Sequence, residues 1–190
     1  MKKIVAGVDE VGRGSLIGPV FAAAVIFKKK LDKKKIKDSK KLSKKNRNNL
    51  EIYIKKNSVW GIGSASIKEI EKLNILNASL LAMKRSIKKL KSKPTLVLID
   101  GNKLPKISGY NLKSVIKGDQ KISEISAASI IAKVARDRFI TKMSKEFTKY
   151  SWDKNFGYPT KQHVNAIKKF GITKHHRRTF APIHNILSPR

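Results

Sequence analysis

Four carboxylates stand where apolar runs end. Asp9 and Glu10 close the run 3–8, Asp100 closes 95–99, and Asp119 follows 112–116 after Lys117-Gly118. In α/β sheets, ligands bind in the crevice beyond the carboxyl ends of the strands. Carboxylates gathered there repel and raise one another's pKa unless a cation neutralises them. Their hard oxygens suit Mg²⁺ or Mn²⁺. Two such ions, about 3.5–4 Å apart, can clamp the attacking and leaving oxygens of a phosphodiester. The chain has 13 acids against 44 Lys and Arg. In so basic a chain, four acids at three strand ends argue against solvated turn residues or helix caps. Adjacent strand residues point to opposite faces. Asp9 and Glu10 therefore share a site only if the chain bends, and the glycines that follow permit a bend.

Those glycines form Gly12-Arg13-Gly14. The motif is too short for a dinucleotide fingerprint, but beside an acid pair it lets backbone approach a sugar or phosphate closely. The four histidines, His163, His175, His176 and His184, fall in the C-terminal quarter. His175-His176-Arg177-Arg178 lacks a zinc spacing and has no thiolate to support it, so phosphate contact or plain surface is the preferred reading. Arg136 and Asp137 read as a structural ion pair. The chain has no Gly-x-Ser-x-Gly elbow and no Walker-type loop. It has no cysteine, which excludes disulfides, thiol catalysis and zinc-thiolate sites.

The elements that must position these residues follow from patterning. Residues 3–8 and 19–27 read as strands around a glycine-rich turn, and 59–66 as a third strand. Ser43 caps a helix to about residue 56. Leu76, Leu80, Met83, Ile87 and Leu90 recur at helical spacing, predicting a helix over 74–90 that Pro94 stops. Residues 95–99 and 112–116 are strands four and five. A long helix spans 122–147, with Ala127, Ala128 and Ala132 on a face able to approach the sheet. Another helix, 161–170, is closed by Gly171. The layout is α/β: a central, mixed β-sheet flanked by helices, in one domain of 190 residues.

The formal net charge is +31, which points to a polyanion and first to nucleic acid. Of the 44 cations 36 are Lys, and Asn and Ile are abundant. AT-rich codons supply all three, so drift can account for part of the excess. No run of about 18 apolar residues marks a membrane span. Asp9 and Glu10 interrupt the apolar stretch after Met1-Lys2-Lys3, so a cytoplasmic rather than exported protein is expected. A monomer is expected, and no protein partner is readable from the tail.

Taken jointly, the motifs resemble the type 2 ribonuclease H family, bacterial ribonuclease HII. The resemblance runs through 7–14, Gly18-Pro19, Asp38-Ser39-Lys40-Lys41-Leu42-Ser43, 99–102 and 117–119. It continues through 125–137, Gly157-Tyr158, Lys161, His163 and 176–180. It implies a ribonuclease H-like fold, with a core over about 1–145 and a helical C-terminal extension over about 146–190. It implies a metal-dependent endonuclease that hydrolyses the RNA strand of RNA–DNA hybrids. It also implies nicking 5′ to ribonucleotides embedded in duplex DNA, as in ribonucleotide excision repair, leaving a 3′-hydroxyl and a 5′-phosphate. Asp9, Glu10, Asp100 and Asp119 match the family's catalytic, metal-binding carboxylates. Gly12, Arg13 and Gly14 match the motif that reads 2′-hydroxyls at the RNA–DNA junction. Tyr158 matches the tyrosine that packs on the next sugar, and Ser39, Lys40 and Lys41 match a segment near backbone phosphates. Phe156 and Pro159 around Gly157-Tyr158 depart from the family pattern and bear on how Tyr158 meets the sugar. Two other readings stay open: a non-catalytic basic nucleic-acid-binding protein, and another nuclease on the same fold acting on all-DNA substrates.

Overall fold

The computed structural model describes residues 3–28, Ile36 and 43–188. A five-stranded sheet organises them, with strands β1 (Val5–Val11), β2 (Val20–Phe27), β3 (Ser58–Ala65), β4 (Leu96–Asp100) and β5 (Leu112–Val115) in the order β3-β2-β1-β4-β5. β1 pairs antiparallel with β2 and parallel with β4, so the sheet is mixed. The helices are α1 (Lys44–Lys56), α2 (Ile67–Lys88), α3 (Gly118–Lys121), α4 (Ser123–Ser144), α5 (Trp152–Asn155), α6 (Lys161–Phe170) and α7 (Ala181–Leu187). A 3-10 turn, Thr148–Tyr150, follows α4.

The period-two alternation of β1 and β2 sorts their side chains onto two faces. Ala6, Val8, Ala22 and Ala24 pack under α2 with Ala78, Ala82 and Met83. Ala23 and Val25 pack under α4 with Ala127, Ala128 and Ile131. Small residues set the distance between layers. A Cβ on Gly7 would collide with the Glu124 backbone, and one on Gly63 with the Ala82 carbonyl oxygen. A third cluster joins Leu16, Ile17, Ile140 and Met143 to Tyr150, Trp152, Ile167 and Ile183, docking the C-terminal helices on the loop after β1.

Two expectations shift. α2 starts at Ile67 rather than at residue 74, because Ser66 and Glu69 form a capping box ahead of a kink at Asn74 (φ 64°). The Asn74 side chain then accepts from the Asn77 amide at 3.1 Å and recaps the second segment. β1 continues as strand to Val11, so the chain does not bend at Asp9-Glu10.

Candidate active site

The ladder between β1 and β4 ends at Val8 opposite Ile99, leaving Asp9, Glu10 and Asp100 just past it. Alternation is kept: Asp9 lies on the α4 face, where Ser129 hydrogen-bonds its carboxyl. Glu10 lies on the α2 face, and with Arg13, Leu80, Met83, Asp100 and Asn102 it lines a cavity of about 290 Å³. The acids approach one another around the open end of the sheet, which does what a bend was expected to do. Asp9 is 5% exposed. Burial, then the charges of Glu10 and Asp100, push its pKa well above the ordinary aspartate value, against the Ser129 hydrogen bond. Burial and the Asp100 charge also raise Glu10, and Arg13 offsets part of this through a contact at 3.3 Å. Asp100 Oδ1 accepts from the Gly118 amide at 2.7 Å, which fastens the start of α3, and with it Asp119, to the end of β4.

A loop, 12–19, leaves this acidic end and is anchored from beneath by two arginines with 0% exposure. Arg136 of α4 donates to Ser15 Oγ at 2.7 Å, to the carbonyls of Ile17 (3.2 Å) and Pro19 (3.4 Å), and to the Phe156 carbonyl at 3.1 Å. Gly12 has φ +92°, and a Cβ there would strike the Arg136 guanidinium. Arg177 donates to the carbonyls of Gly18 at 2.9 Å and Arg13 at 3.0 Å. Burial, reinforced by the Arg136 charge, lowers the Arg177 pKa to about 9. The Tyr158 turn docks on the same loop: the Leu16 amide donates to the Gly157 carbonyl at 2.8 Å, and the Arg136 guanidinium sits 5.6 Å from the Tyr158 ring.

The structure thus brings Asp9, Glu10 and Asp100 into one electrostatic cluster with Asp119 next to its edge, and joins the loop of the buried Gly12 and the exposed Arg13 and Gly14 to the Tyr158 turn through Arg136. Ser39, Lys40 and Lys41 lie outside the described residues. The acids fit a hard divalent cation in donor chemistry, and positive charge would relieve the raised Asp9 and Glu10. As they stand, no three acidic or histidine side chains among the described residues converge closely enough to hold an ion.

Other expectations are corrected. Arg136 does not pair with Asp137. Asp137 instead takes Lys133 at 2.8 Å, while Arg136 turns to backbone carbonyls. Within His175-His176-Arg177-Arg178, His176 and Arg177 are buried rather than on the surface, and His163 is buried as well. Trp152 Nε1 donates to His163 Nε2 at 2.9 Å, and both histidines pack in the aromatic cluster under α6. Ser129, Arg136 and Arg177 were not read as parts of the site. For Arg136 a signal existed: it falls four residues after Ala132, on the small-residue face of α4 that packs inward.

A family model described as Ribonuclease HII matches residues 6–183. A Ribonuclease HII from Pelagibacter ubique (strain HTCC1062) is 71% identical over 185 residues, covering 97% of this chain and 100% of that protein. One from Neisseria gonorrhoeae (strain ATCC 700825 / FA 1090) is 47% identical over 189 residues, covering 99% and 97%. The crystal structure of the ribonuclease H2 from Pyrococcus horikoshii OT3 superposes with a TM-score of 0.80 at 27% identity, covering 96% of each chain.

Proposed function

Because the chain belongs to the ribonuclease HII family of endonucleases, we propose that it hydrolyses the RNA strand of RNA–DNA hybrids. It also nicks duplex DNA 5′ to an embedded ribonucleotide, leaving a 3′-hydroxyl and a 5′-phosphate. The observation that carries this reading is the carboxylate cluster at the ends of β1 and β4, with Asp9 buried and Glu10 and Asp100 half-buried, directly beside a glycine loop. A buried acidic centre inside a chain of charge +31 suits attack on a polyanion that the surrounding lysines hold.

Asp9, Glu10, Asp100 and Asp119 would hold Mg²⁺ or Mn²⁺, which supplies charge stabilisation at the scissile phosphate when bound. Asp9 is the most deeply buried of the four, and its Oδ1 accepts from the Glu10 amide at 2.7 Å. The 2′-hydroxyl separates RNA from DNA at a single nucleotide. Amides of the 12–14 loop test for it without reading bases, while the Tyr158 ring packs the following sugar. Ser39, Lys40 and Lys41 contact backbone phosphates. The enzyme acts as a cytoplasmic monomer of one domain, core plus extension, in ribonucleotide removal from DNA.

The test is a nicking assay on duplex DNA with one embedded ribonucleotide, with and without Mg²⁺, beside an all-DNA control. Asp9→Asn and Asp100→Asn are expected to lose cleavage by at least about a hundredfold while still binding the duplex. Full activity in either variant, or in chelator, contradicts the reading. Binding without any nicking by the native chain favours a non-catalytic basic protein, and cutting of the control favours a general nuclease.

A further inference from the structure

We propose that Arg136 and Arg177 are positioning residues that aim the Gly14 amide, and its spacing from Tyr158, for recognition of the ribonucleotide. The inference rests on the functional reading above and deepens it.

Two buried guanidinium groups with no carboxylate on either among the described residues are a costly arrangement. Among the described residues neither forms a salt bridge, and every hydrogen bond they donate there goes to a carbonyl or to Ser15 Oγ. Arg177 even leaves Nη2 buried with no partner. If loop stability were the sole requirement, an apolar plug would serve without that cost. What a guanidinium adds is a rigid fork that fixes several carbonyl directions at once.

The direction matters because a trans peptide is planar, with C=O and N–H pointing opposite ways. The Arg13 carbonyl turns inward to Arg177 Nη1 at 3.0 Å. The Gly14 amide, in the same peptide unit, must then point outward. Gly14 is exposed, and a Cβ there would meet nothing within 4 Å, so that side of the loop is open to a ligand. Arg136 performs the second task. One guanidinium ties Ser15, Ile17 and Pro19 of the loop to Phe156, two residues before Tyr158, and stands 5.6 Å from the Tyr158 ring. The distance between an outward amide and a sugar-packing ring is thereby set by one side chain.

Arg136→Lys and Arg177→Lys keep the charge and lose the fork. Their kcat and KM are to be measured with Mg²⁺ on duplex DNA carrying one embedded ribonucleotide, beside the wild type, at a temperature where circular dichroism shows each folded. The expected result is a fall in kcat of about tenfold to a hundredfold, as for misplacement of a reacting group by about 1 Å, with KM within about twofold. A lowered melting temperature with wild-type kcat is what a merely structural role produces, and it would overturn the inference. If the lysine variants do not fold, Ser15→Ala removes only the hydroxyl held by Arg136. It is then expected to lower kcat at least about threefold, and an unchanged kcat overturns the inference. A wild type that does not nick overturns the functional reading and this inference with it. An active wild type with unimpaired variants overturns the inference alone.

Discussion

At the scale of single residues, Asp9 carries opposing demands. Its carboxyl is buried beside Glu10 and Asp100, and its pKa is raised chiefly by that burial. A raised pKa means that the folded protein keeps a proton which the unfolded chain releases above about pH 4. Stability therefore declines as pH rises from there through the folded value. With divalent ions chelated, Asp9→Asn is expected to melt a few degrees above the wild type at pH 7, about 2–4 °C per kcal/mol for a chain this size. The gap should close toward pH 4, and thermal melts across that range check it. A variant that melts lower at pH 7 would show that Ser129 and the Glu10 amide already compensate the charge. Glu10→Gln should gain less, because Arg13 stands at 3.3 Å from the Glu10 carboxylate. The acids were legible in the sequence because a carboxylate after an apolar run is rare in so basic a chain. Ser129 and Arg177 were not, because an isolated Ser or Arg in a helix or turn reads as solvent-exposed and only tertiary packing buries it, while Arg136 was read as the partner of Asp137 although its place four residues after Ala132 turns it inward.

At the scale of elements, small residues bring the helices close enough to present those side chains. Gly63 of β3 faces the α2 backbone at Ala82, and Gly7 of β1 faces the start of α4 at Glu124. Gly63→Ala is expected to cost about 1–3 kcal/mol in a denaturant melt, the usual cost of overpacking. It should leave kcat per folded molecule unchanged, since β3 is separated from β1 by β2. Gly7→Ala sits two residues before Asp9 on the same face and displaces the helix that carries Ser129, so it should lower both stability and kcat. Equal effects of the two on kcat would contradict this division. The strands and long helices followed from hydrophobic period, and the small face of α4 from Ala127, Ala128 and Ala132. The first segment of α2 was missed because its capping box precedes a kink, so the apolar period restarts at Asn74 and conceals it. The reading of Asp9-Glu10 as needing a bend assumed a continuous sheet on both sides. It failed because the ladder between β1 and β4 ends at Ile99, so Asp9, Glu10 and Asp100 lie past it while β1 runs on straight to Val11.

At the scale of the whole molecule, the charge of +31 is sharper once the acids are located. Several acids outside the candidate site are occupied locally. Glu51 takes Lys55 and a two-pronged contact from Arg138, Asp137 takes Lys133, and Glu69 holds Arg85, which brings the Glu69 pKa down to about 2. The excess cations remain for solvent or a polyanion, and Lys44, Lys142 and Lys145, together with Arg47 and the Glu51-paired Arg138, line one cleft of about 260 Å³ between α1 and α4. Backbone phosphates held this way release counterions, so affinity should fall steeply with salt while chemistry at the buried carboxylates does not. For about six phosphate contacts, KM on the embedded-ribonucleotide duplex is expected to rise by roughly 10³ between 50 and 200 mM salt, with kcat nearly constant. The same slope should appear in equilibrium binding by Asp9→Asn, which lacks chemistry but keeps the cationic surface. A KM nearly independent of salt would assign the lysine excess to codon drift rather than substrate capture. A kcat that fell in parallel would mean instead that surface charge acts on the chemical step. The separation is physical: exposed charges are screened within about 10 Å at 0.1 M salt, and buried ones much less.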